Sequence, residues 1–171
     1  MVAATMLPVL LPRARRVARA SVGRVRNRAV AETLAGYLVV WLALGAGVML
    51  LPPASSPGVV AAVWLAATAW QRTAVRYRAL NRCHAVGVPA GTRDGRRRVQ
   101  AGMAYGTWCA ATCGPPMIAA AVTDLPPVAM LALAAALLAE RIARRPRVVS
   151  LRIALAMLAG ALGGGLGLFG P

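Results

Sequence analysis

The 171 residues carry 59% hydrophobic side chains, 14% charged ones and a mean hydropathy of +0.64, a balance that points to a membrane protein. The net charge of +16 comes from 20 basic residues against four acids, and every basic residue is arginine. No long polar region is present to fold as a nucleic-acid-binding domain, so anionic lipid headgroups, not nucleic acid, are the expected partner of this charge.

In chain order, Val2 to Pro12 is an apolar run too short to span a bilayer, which takes about 20 residues. Its basic cluster follows it, unlike that of a secretory signal peptide. Arg13 to Arg28 reads as a basic juxtamembrane helix, so residues 1–30 form a short apolar segment and a basic arm. Ala31 to Leu51 is the first expected span, and Pro52-Pro53-Ala-Ser-Ser-Pro57 turns the chain. Gly58 to Trp70 is the second span, with Trp70 and Gln71 at its interface. Arg72 to Arg98 reads as the largest polar loop and holds Cys83 beside His84.

Val99 to Val122 is the third span, which Asp124-Leu-Pro-Pro127 turns back. Val128 to Ile142 is the fourth and ends near Glu140, placed to pair with Arg144 four residues on. Val148 to Phe169 is the fifth, where Gly160/Gly164 and Gly163/Gly167 have the small-xxx-small spacing that lets helices approach closely. The expected fold is therefore all-α, a polytopic transmembrane bundle of five full spans over residues 31–171 after the N-terminal segment. The arginines fall seven, eight and five to alternate connections, which sets the basic loops in the cytoplasm and the C-terminus outside a multi-pass plasma-membrane protein.

Enzyme constellations are missing from the sequence: no acid pair within a span, no Ser-His-Asp set, no phosphate loop and no dinucleotide fingerprint. A non-enzyme is expected. Three cysteines cannot all pair with one another, so free thiols are the expectation.

What stands out is sulfur. Cys109, Cys113 and Met117 stand four residues apart, a spacing that lines up two thiols and a thioether on one face of a continuous helix. Thiolates and thioethers select copper(I), with Met103 and Met130 as supporting ligands and Cys83 with His84 as a cytoplasmic point of uptake. Pro115 and Pro116 threaten the continuity of that helix and free carbonyls that must be satisfied internally. The competing reading is packing: buried cysteine and methionine as gap fillers, and Gly102/Gly106 as a contact face for partner helices in a non-catalytic accessory subunit of a larger membrane complex.

The segments Ala4-Thr-Met-Leu-Pro8 and Ala35-Gly-Tyr-Leu-Val-Val-Trp41, then Trp70-Gln71 leading to Cys83, resemble a known family. So do the Gly102, Gly106, Cys109, Cys113, Met117 pattern and Glu140-Arg141. These are the metal-binding integral membrane proteins grouped as domain of unknown function 2182, some of them labelled copper chaperones. The resemblance covers most of the chain and implies soft-metal binding at the Cys cluster. This chain departs from the pattern at Thr112, where the family carries the first of two adjacent cysteines, and at Ala79, where it carries a second loop cysteine.

Overall fold

The structure, a computed structural model, describes residues 14–21, 23, 25–54, 56–87, 94–142 and 153–159. All regular structure among them is helical: α1 (14–20), α2 (Val25–Met49), α3 (Pro57–Gln71), α4 (Ala74–Ala85), α5 (Gly95–Val122), α6 (Pro127–Ile142) and α7 (153–159). Short polar residues set the starts. Ser56 accepts a hydrogen bond from the Val59 amide with Pro57 in the first turn of α3, Thr73 does the same for the Arg76 amide of α4, and Asp94 for the Arg96 amide of α5. α5 ends where Asp124 takes a left-handed φ of 49°.

The chain divides into two compact units, one reaching to Gly47 and including Ala79–Ala110, the other comprising Val48–Arg78 and the chain from Ala111 onward. In the first unit, α2 and the first half of α5 meet backbone to backbone. A Cβ on Gly36 would lie 2.1 Å from the Val99 carbonyl oxygen, and one on Gly102 would lie 2.1 Å from that of Thr33. Glycine at both positions is what permits this approach. Gly102 and Gly106 thus face α2 of the same chain, while the Gly160–Gly167 stretch lies outside the described residues. The half-buried Glu32 carboxylate ties the two helices, accepting from Arg28 Nε at 2.8 Å and pairing with Arg98 Nε at 2.8 Å.

The five-span bundle is not what these helices form. Among the described residues only α2 is long and apolar enough to cross a membrane. At about 1.5 Å per residue, the 15 residues of α3 and the 16 of α6 fall well short of a hydrocarbon core about 30 Å thick. α5 has length to spare at 28 residues, but Arg96, Arg97 and Arg98, four glycines and two prolines dilute its apolar character. The expected fifth span is helical at 153–159, and the rest of it lies outside the described residues, as does the Val2–Pro12 segment. The alternating multi-pass topology goes with the spans.

The expected loop from Arg72 to Arg98 contains a helix, α4, and two buried arginines, Arg76 and Arg98. Gln71, expected at a membrane interface, is fully buried. Glu140 pairs with Arg76, 64 residues away, while Arg144, its expected partner, lies outside the described residues.

Candidate metal centre

α5 runs unbroken through Pro115 and Pro116, so Met117 stays on the same helix as both cysteines. Each proline lacks an amide N–H, which leaves the carbonyls of Ala111 and Thr112, four residues earlier, without their helical partners. Both carbonyls are met from outside the helix. Trp70 Nε1 donates to the Ala111 oxygen at 3.0 Å, and Arg76 Nε donates to the Thr112 oxygen at 3.4 Å. Carbonyls removed from water demand partners, and here carbonyls and donors all belong to the second unit.

The guanidinium of Arg76 is itself held firmly. Its Nη2 is ion-paired with Glu140, its Nη1 donates to the Gln71 carbonyl at 3.5 Å, and its plane lies 5.7 Å from the Tyr77 ring centroid. Arg76 and Glu140 are both 1% exposed.

On α5, Cys109, Cys113 and Met117 are all buried, as the i, i+4, i+8 spacing anticipates for one helix face. Cys113 Sγ lies 3.6 Å from Thr112 Oγ1. In the first unit Cys109 Sγ lies 3.5 Å from Tyr37 Oη, and the Tyr37 ring is 5.8 Å from Tyr105 and 6.3 Å from Trp41. Met130, on α6, is buried as well. Met103 is exposed, and six residues before Cys109 it leaves the helix in another direction. Cys83 is buried while His84, the next residue of α4, is exposed. Adjacent helical residues diverge by about 100°, which sets the two side chains on different sides of α4. All three cysteines are free thiols.

The copper chaperone family model designated PpoB2 matches residues 1–163. The chain belongs to this copper chaperone family. No curated protein matches it, and no solved structure does. The match carries the copper-chaperone part of the resemblance drawn from the motifs; it carries neither the numbered domain of unknown function nor a membrane label.

The donor set suits the cargo of a copper chaperone. Two buried thiols and a thioether on one helix are soft ligands, and no group of three or more His, Cys, Asp or Glu among the described residues competes for a harder ion. The residues that sequence reasoning missed are Trp70, Arg76 and Tyr37. A signal for the first two was present in the double proline, since two freed carbonyls require two donors. Nothing in the sequence says which of eight arginines in the Arg72–Arg98 segment is buried.

Proposed function

We propose that this copper chaperone binds copper(I) through Cys109, Cys113 and Met117 of α5 and hands it to an acceptor. The observation that carries the reading is the continuity of α5 through Pro115-Pro116, which keeps three buried sulfurs in one i, i+4, i+8 series. A thiolate pair with a thioether binds a low-coordinate monovalent ion without bringing a full positive charge inside, and such an ion can pass to an acceptor by stepwise thiol exchange. Met130 is a supporting donor from α6. The protein acts as a carrier and not as an enzyme.

We place it at a membrane through α2, whose exposed side chains include Val39, Leu42 and Met49. Exposed arginines at 15, 16 and 19 on α1 precede that helix and would meet anionic headgroups. The test is a copper(I) titration of purified protein against a competing chelator under reducing conditions, repeated with Cys109→Ser plus Cys113→Ser. The expected result is loss of stoichiometric binding in the double variant. An unchanged affinity sinks the α5 site.

A further inference from the structure

Cys113 is the residue after Thr112, and Met117 is the residue after Pro116, so one proposed ligand lies within and the other directly after the stretch of α5 that the prolines deprive of hydrogen bonds. A helix with two adjacent carbonyls unmatched bends or opens at that point. Here the helix continues through that point, and the donor at the Thr112 carbonyl is a fully buried arginine. A buried guanidinium is a costly way to cap one carbonyl. What it offers is a planar fork of five N–H donors that reaches the Thr112 oxygen, the Gln71 oxygen and the Glu140 carboxylate together. Glu140 offsets the charge and fixes the fork, and Thr73 fixes the Arg76 backbone by accepting its amide at 3.2 Å.

We propose that Arg76 is a positioning residue for the soft-metal ligands: by holding the Thr112 carbonyl it keeps the proline-bearing turn helical, and so keeps Cys113 and Met117 in i, i+4 register. Glu140 acts through Arg76. Neither residue touches the metal. This role in copper binding rests on the reading of α5 as the copper(I) site, but the geometric part of it does not.

The test is a mutant cycle read two ways. In a chain carrying Cys83→Ser and Cys109→Ser, Cys113 is the remaining thiol, and its alkylation by N-ethylmaleimide is timed under native conditions. Copper(I) affinity is measured in parallel with all three cysteines present. Arg76→Met with Glu140→Leu removes both charges together, so no unpaired charge stays buried, yet the Arg76 donor to the Thr112 carbonyl is gone. Loss of the donor at the Thr112 carbonyl is expected to speed Cys113 labelling about tenfold and weaken copper(I) binding about tenfold.

Pro116→Ala returns the amide that bonds the Thr112 carbonyl, so in that background the same double substitution is expected to speed labelling and weaken binding far less than it does with Pro116 in place. Should Arg76→Met with Glu140→Leu lose its helical circular dichroism, Arg76→Lys, which keeps the charge opposite Glu140 but not the fork, is carried through the same cycle. Labelling that stays slow without Arg76, or that Pro116→Ala does not restore, overturns the positioning role. Equal copper(I) affinity in Cys113→Ser and the unsubstituted chain overturns the copper reading instead, and the labelling cycle still decides whether Arg76 holds the turn.

Discussion

Trp70 donates its indole N–H to the carbonyl of Ala111 at 3.0 Å, and that carbonyl is the one Pro115 leaves without a helical donor. The contact is specific to the proline. Trp70→Phe keeps an aromatic side chain and removes the donor, and is expected to cost about 1 kcal/mol, the range for one part-buried hydrogen bond lost. Adding Pro115→Ala restores the helical hydrogen bond, so the two substitutions together should cost less than the sum of each alone. Thermal unfolding followed by far-ultraviolet circular dichroism measures the coupling, and strict additivity refutes it.

The approach of α2 to α5 predicts a sharp contrast among glycines. Gly36→Ala and Gly102→Ala each push a methyl group against backbone that cannot move aside, at 2.1 Å from a carbonyl oxygen, and should cost about 2–3 kcal/mol or more. Gly45→Ala lies on the same α2 helix with nothing within 4 Å of its new Cβ. It should stabilise by about 0.5–1 kcal/mol through helix propensity alone. Equal effects at all three positions in a denaturant titration would contradict the packing.

The helices were legible in the sequence because apolar runs end at Pro, Gly or Ser: α3 between Ser56 and Arg72, α6 from Pro127, and α2 around Tyr37 and Trp41. Their role as spans was not. Apolar runs of 15 and 16 residues read as short membrane helices only because the composition is apolar throughout. α4 was hidden by its arginines, which look like a solvated loop until one of them finds a carboxylate 64 residues away. The sulfur series was legible by spacing, since i, i+4, i+8 survives in a helix that stays continuous. The donors that keep it continuous come from α3 and α4, and no local pattern marks them.

Tyr37 predicts a tuning effect on copper. Its hydroxyl lies 3.5 Å from Cys109 Sγ inside a buried aromatic group, close enough to donate a weak hydrogen bond to a thiolate that holds metal. Groups of this kind commonly alter metal affinity by about 10–100-fold. Tyr37→Phe, which preserves the ring contacts with Trp41 and Tyr105, is expected to weaken copper(I) binding by about tenfold in a chelator competition. In Cys109→Ser the same substitution should have no further effect on affinity. An undiminished effect there would separate Tyr37 from the metal.

Metal selectivity follows from which side chains are buried together with α5. Thiol and thioether donors favour soft monovalent ions, and the described residues gather no set of three His, Cys, Asp or Glu side chains that would complete a tetrahedral zinc site. Copper(I), and silver(I) as a redox-inert substitute, should therefore raise the unfolding temperature under reducing conditions. Free ligand at a hundred times its dissociation constant corresponds to about 2.7 kcal/mol of stabilisation. Zinc(II) at the same concentration should leave the transition unchanged. Cys113→Ser should abolish the silver(I) shift, and Met117→Leu, which keeps the volume and removes the thioether, should reduce it. A zinc(II) shift matching that of silver(I), retained in Cys113→Ser, would assign the binding to residues other than the sulfurs of α5.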